Sequence, residues 1–192
     1  MADLNRKALL ALLLLVLGVG VGGYLVGRAL APPAPVPQTS SIKDESGVET
    51  TTRLIRLFFA VPDADKLQEE ERTIPRAASF VEEARRTVAE LIKGPQNGLN
   101  PTIPPDVRLR QLYIDGRGTA YVDFSRDLQT KHPGGSGGEL LTIYSIVDTL
   151  TANFDEIQQV KILVEGSEVL TLVGHIDTRR PFRPRYSLEG VR

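Results

Sequence analysis

"KHPGGSGGELLTIYSIVDTL", Lys131–Leu150, decides the fold. Gly134, Ser136 and Gly138 spell G-x-S-x-G, the nucleophile elbow of a hydrolase sheet. Gly134–Gly138 also has the composition of a loop that cradles phosphate. A third reading takes Ser136 and Glu139 as an S-x-x-E capping box that opens a helix. The surroundings select the third. An elbow serine directly follows a strand, whereas a polar loop separates Ser136 from Phe124 and Ser125. A triad of Ser136, Asp148 or Asp155, and His175 follows the chain order of that hydrolase fold, but chain order alone is weak support. The phosphate reading lacks a following G-K-S/T and the G-x-G-x-x-G spacing. As a cap, the serine oxygen accepts a backbone N–H near Glu139, and the glutamate reaches back to the serine N–H. Leu140, Ile143, Tyr144, Val147 and Leu150 then recur at helical spacing, with Leu141 and Ile146 widening the apolar face. Ser136 starts a helix.

Outward from this helix the pattern is short apolar runs between clear breaks. Upstream, Arg53–Val61 is rich in strand formers, and a short extended piece is expected at Arg72–Pro75. Ser79 and Glu82 form another capping box, ahead of Val81, Ala84, Val88, Leu91 and Ile92 at helical spacing. Gly94-Pro95 ends that helix. Val107–Ile114 and Thr119–Phe124 flank Asp115-Gly116-Arg117-Gly118 and read as a hairpin. Val160–Val164 and Glu168–Leu172, around Glu165-Gly166-Ser167, read as a second. Helix plus hairpin thus occurs twice, at 79–124 and 136–173, without strong identity between the halves. The expectation is an α+β domain with two helices packed on a mainly antiparallel sheet.

The first thirty residues address location. Ala8–Gly27 is a run of 20 residues without a charge, preceded by Arg6 and Lys7. At 1.5 Å per residue it spans about 30 Å, the depth of a bilayer core. The expected organisation is a cytoplasmic N-terminus (1–7), a transmembrane anchor (8–30), a Pro-rich and polar linker (31–52), a folded domain (53–182) and a tail (183–192). Ala29-Leu30-Ala31 resembles a signal-peptide cleavage site. The length of the run and Pro32 just after that site favour an uncleaved anchor.

Composition excludes several classes. A net charge of −1 gives no global attraction to nucleic acid. The 192 residues contain no cysteine, which removes thiol catalysis, thiolate metal sites and a lipidated cysteine.

"RLIRLFFAVPDADKLQEEERTIP" (53–75), "AELIKGP" (89–95), "IPPDVRL" (103–109), "GTAYVDFS" (118–125), "GGSGGELLTIYSIVDTL" (134–150), "VKILVEG" (160–166) and "LVGHIDTRRPF" (172–182) together resemble the GerMN domain. That is the sporulation and spore-germination module of GerM-type proteins. The resemblance implies an α+β domain similar to ring-building modules of envelope complexes, held outside the membrane. It supplies no catalytic residue, and this chain carries one copy where GerM is similar to a tandem pair.

Other candidates have ordinary readings. His175 and Asp177 form an H-x-D pair without a third metal ligand at convincing spacing. Asp123 is expected to face solvent, and Glu69-Glu70-Glu71-Arg72 to form a solvated loop. Arg179, Arg180, Arg183 and Arg185 belong to a soluble tail rather than to a lipid or glycan contact. The expected function is a non-enzymatic interaction or scaffold module of the cell envelope, with no cofactor and no metal. Its expected partners are the membrane through residues 8–30, and envelope proteins or further copies of itself; peptidoglycan is the alternative. The expected contact surface is the first hairpin at Arg108, Arg110 and Tyr113, together with the loop at His132 and Gly135.

Overall fold

The computed structural model describes residues 41–43 and 49–185, all within one structural unit, Thr39–Arg192. The anchor expected at 8–30, most of the linker and residues 186–192 lie outside the described residues. Among the described residues no helix is long and apolar enough to cross a membrane.

Two sheets replace the single sheet expected. The first has the order β1-β2-β3, with β1 at Ser41–Lys43, β2 at Glu49–Ala60 and β3 at Leu67–Pro75. The second has the order β4-β5-β6-β7, with β4 at Leu109–Ile114, β5 at Thr119–Phe124, β6 at Gln159–Val164 and β7 at Ser167–Glu168. In β2 the inward set Ile55, Leu57 and Phe59 is fully buried, as period-two alternation requires. Helices α1 (Phe80–Ile92), α2 (Asp127–Thr130) and α3 (Ser136–Asn153) complete the unit. The long helix α3 packs on β2 of one sheet and β6 of the other, while α1 packs on α3 and β4. One hydrophobic core joins β2 through β6 and the three helices.

The pairings correct several expectations. All are antiparallel except β5 with β6, which run parallel from Thr119↔Gln159 to Phe124↔Val164. A parallel pair needs a long crossover, and α3 supplies it. The extended piece expected at 72–75 is a full strand, paired along β2 from Thr52↔Pro75 to Ala60↔Leu67. The four charged residues 69–72 therefore lie in β3 and not in a loop. Glu70 faces Leu57 and Arg72 faces Ile55, on the core side of the sheet.

Turn chemistry sets the connections. Asp115 Oδ1 accepts the N–H groups of Arg117 and Thr119, each at 2.9 Å, and closes the first hairpin. Gly118 has φ +78°, and a Cβ there would stand 2.9 Å from the Glu156 carbonyl, so glycine is required. Glu165 and Gly166 both have positive φ, as a two-residue hairpin turn between right-twisted strands demands.

Beyond its short pairing with β1, the flank of β2 opposite β3 is closed by α3. The Phe58 N–H donates to Thr149 Oγ1 at 3.1 Å and the Arg56 N–H to Asn153 Oδ1 at 2.9 Å. Asn153 Nδ2 donates back to the Arg56 carbonyl at 2.6 Å. Arg53 and Arg56 donate to the carbonyls of Asn153 and Ala152, where a helix C-terminus favours positive charge.

Candidate functional site

The helix starts separate two sites that look alike in sequence. At α1, Ser79 is the N-cap and its Oγ accepts the Glu82 N–H at 3.3 Å. At α3 the N-cap is Gly135, with φ 79° and no side-chain capping bond. Ser136 is the first helical residue and lies exposed. The second capping box is not formed, because Glu139 is engaged elsewhere. Its carboxylate is fully buried and accepts N–H groups from Leu172 (2.7 Å) and Val173 (3.1 Å) on one oxygen. The other oxygen accepts from His175 (2.9 Å) and Ile176 (3.1 Å). Burial pushes this carboxyl up, yet the four amide donors outweigh it and hold the pKa below the ordinary 4.5.

The same device recurs wherever a charge is buried. Glu70 pairs with Arg72 at 2.6 Å and accepts the N–H groups of Gln96 (2.9 Å) and Asn97 (3.0 Å). Arg72 also donates to the carbonyls of Glu90 and Gly94, so the pair holds the end of α1. Glu83 pairs with Arg53 at 2.7 Å and accepts the Ala77 N–H at 3.3 Å. For both Glu70 and Glu83, burial raises the pKa, but hydrogen bonds and the adjacent arginine bring it below the ordinary value. Lys161, 2% exposed, donates to Glu168 and to the carbonyls of Thr178 and Arg179. Asp123 is buried rather than solvated. It accepts from Arg110 at 2.9 Å and from the Gly166 N–H at 2.8 Å.

The triad on paper does not assemble. His175 Nδ1 faces Glu139 Oε2 at 3.3 Å. Asp148 lies in the same helix as Ser136, about 18 Å further along its axis. It accepts the Arg185 N–H at 3.1 Å. Asp177 is held by Arg179 through a bidentate pair, the shorter contact being 2.7 Å. Among the described residues no group of three His, Asp or Glu side chains is placed to hold a metal ion. The arginine-rich stretch packs on the domain at Phe182 and Arg185. Phe182 and Val160 exchange backbone hydrogen bonds at 2.8 Å, Phe182 meets Tyr144 edge-on, and Arg185 lies 5.0 Å over the Tyr144 ring.

The expected contact residues fall in two places. Arg110 and Tyr113 lie on β4, an edge strand of the second sheet. Tyr113 is 51% exposed and stacks on Tyr121 with ring centroids 4.5 Å apart. Arg108 directly precedes β4, at the end away from Tyr113. Near that end Asp106 meets Lys131 at 2.8 Å, and Lys131 leads into the loop of His132 and Gly135.

His132 is locked as one neutral tautomer. Its Nδ1 accepts the Gly134 N–H at 3.0 Å. The Thr142 hydroxyl donates to the Thr102 carbonyl at 2.5 Å and so accepts from His132 Nε2–H at 3.0 Å. Burial lowers the imidazole pKa from 6.5, partly opposed by the Glu139 charge and the Gly138 backbone. These residues wall a pocket of about 320 Å³ between the 101–105 loop and α3. Sequence reading missed this pocket. Its signal was the closeness of two punctuated segments, Pro101–Pro105 and His132–Gly138, which only the fold brings together.

The described residues form a two-sheet α+β domain. The family model described as Germane, sporulation and spore germination, matches residues 56–170, and the chain belongs to that family, as a GerMN-type domain. Three solved structures share the fold. The tandem GerMN domains of the sporulation protein GerM from Bacillus subtilis match with TM-score 0.55 and 22% identity, over 71% of this chain and 48% of that one. The first GerMN domain of GerM alone matches with TM-score 0.54 and 21% identity, over 70% and 98%. A candidate lipoprotein from Clostridium perfringens matches with TM-score 0.50 and 23% identity, over 75% and 93%. No curated protein matches the chain.

Proposed function

We propose that this chain is a non-catalytic interaction module of the cell envelope, tethered outside the cytoplasmic membrane by residues 8–30. The observation that carries the reading is the use of the buried charges. Glu70, Glu83, Asp123, Glu139 and Lys161 each bind the backbone or a side chain of their own domain. Charges spent on holding loops are not poised for general acid–base work. The uncharged run after Arg6 and Lys7 supports an anchor with the domain outside. The Clostridium structure is named as a candidate lipoprotein; these 192 residues have no cysteine to carry a lipid, so the apolar run takes that role. The stretch of about ten residues between the apolar run and β1 keeps the domain near other proteins of the same membrane, so weak contacts suffice.

A second reading has its own observation. The exposed Tyr113, stacked on Tyr121, offers a ring face of the kind sugars use, which favours a glycan such as peptidoglycan. In-cell photo-crosslinking from Arg110 and Gly135, with pelleting on purified sacculi in parallel, separates the two. Protein adducts without sedimentation are expected. Sedimentation without protein adducts would move the function to glycan binding, and a C-terminal reporter active only in the cytoplasm would overturn the tether.

A further inference from the structure

We propose that Asn97 is a site of spontaneous covalent modification: in the folded domain its side chain closes onto the Gly98 nitrogen and reopens as aspartate or isoaspartate. Asn97 and Gly98 lie in the irregular segment between the end of α1 and the 101–105 loop, and both are exposed. The attacking atom is the Gly98 backbone nitrogen, and the atom attacked is the carbonyl carbon of the Asn97 side chain. When that nitrogen gives up its proton, a new carbon–nitrogen bond closes a five-membered imide. The bond from the same carbon to the side-chain nitrogen breaks, and ammonia leaves carrying the proton. Water then adds to either imide carbonyl. Opening at one gives aspartate. Opening at the other gives isoaspartate, whose main chain runs through the former side chain. Nothing is oxidised or reduced.

The fold leaves this path open at Asn97 and closes it at comparable places. Neither the Asn97 side-chain amide nor the Gly98 N–H has a hydrogen-bond partner among the described residues. Gly98 puts no Cβ beside the attacking nitrogen, and an ideal Cβ there would meet no atom within 4 Å, so the ring has room. Asn100 precedes Pro101, which has no N–H to lose. Asn153 donates Nδ2 to the carbonyls of Arg56 (2.6 Å) and Thr149 (2.7 Å). The Phe154 N–H that follows it is bonded to the Leu150 carbonyl at 3.1 Å. At Asp115-Gly116 the Asp115 Oδ1 already holds two N–H groups, and a carboxylate offers no ready leaving group.

The segment that changes is pinned on both sides. Glu70 holds the N–H groups of Gln96 (2.9 Å) and Asn97 (3.0 Å). Asn100 exchanges backbone hydrogen bonds with Ala60 at 2.8 and 3.1 Å. Isoaspartate adds a main-chain carbon between these pins, and either product brings a second carboxylate near Glu70. Both changes work against the Glu70–Arg72 pair that holds the end of α1.

The test keeps the full chain in lipid nanodiscs for several weeks at neutral pH, in water enriched in heavy oxygen. A synthetic peptide of residues 94–108, treated alongside, sets the rate for an unheld chain. Trypsin releases the same segment from the protein, and fragment masses separate Asn97 from Asn100. Conversion at Asn97 at a rate comparable to the peptide's is expected, with heavy oxygen in the product and with Asn100 and Asn153 unchanged. Asn97→Gln, which needs a larger ring, should abolish the conversion without lowering the melting temperature. Converted protein, separated by ion exchange, should melt below the parent, with the isoaspartate form lowest. A folded chain that converts far more slowly than the peptide would overturn the proposal. So would equal conversion at Asn153, or a product without heavy oxygen. An isoaspartate form that melts with the parent would reject the loosening of α1.

Discussion

Glu139 shows how one side chain fixes a distant segment. It sits in the first turn of α3, where the helix dipole favours negative charge, and its oxygens collect the amides of residues 172–176. Replacing it by glutamine removes the charge and turns an NH2 group toward two N–H donors. Glu139→Gln should therefore cost about 3 kcal/mol of stability, measured by urea unfolding. Its folded pKa lies below its ordinary value, and so do those of Glu70 and Glu83. The unfolded chain then binds more protons than the folded one as pH falls below about 4.5. The stability these carboxylates provide is complete above that value and drains away as pH drops through their folded pKa values. Unfolding midpoints recorded from about pH 6 to pH 3 should fall, and the fall should be shallower in Glu139→Gln.

The elements divide into those legible locally and those that were not. Two S-x-x-E sequences look equivalent, yet only Ser79 caps a helix with its side chain. Ser79→Ala should cost about 1 kcal/mol, whereas exposed Ser136→Ala should stay within about 0.5 kcal/mol of the parent. Gly135→Ala should cost about 1 kcal/mol, because φ there is 79°. Thermal melts of the three variants check the order. Helix α1, both hairpin turns and the start of α3 were readable because their signals lie within a few residues of one another. β3 was readable only at its end, Arg72–Pro75: the charged run before it looks like a solvated loop until Glu70 and Arg72 are seen to neutralise each other beside Phe59. Asp123 misled for the same reason, since its partners Arg110 and Gly166 lie on other elements. The parallel β5–β6 pair was hidden because nothing in either strand records which neighbour it takes.

At the scale of the molecule, the stretch around Phe182 belongs to the fold. Phe182 pairs with Val160 and packs against Tyr144. Phe182→Ala should lower stability by about 2 kcal/mol, seen as a fall of roughly 4–8 °C in melting temperature. The division of the core between two sheets follows from the central placement of α3, whose buried residues include Thr142, Ser145, Asp148 and Thr149 as well as its aliphatic set. A helix packed on a single sheet was expected. A helix enclosed on most sides is what two sheets require.

The closure of the β2 edge by Thr149 and Asn153 also has a temporal side. The groups that meet there are 91 and 97 residues apart in the chain. A polypeptide that leaves a ribosome or a translocon N-terminus first presents β2 and β3 long before α3 exists. During that interval the flank of β2 is an open template for stray strands, and only the arrival of Asn153 seals it. The domain is thus committed to late completion. A chaperone that shields the nascent chain until about residue 153 has emerged would protect it where it is most exposed to misassembly.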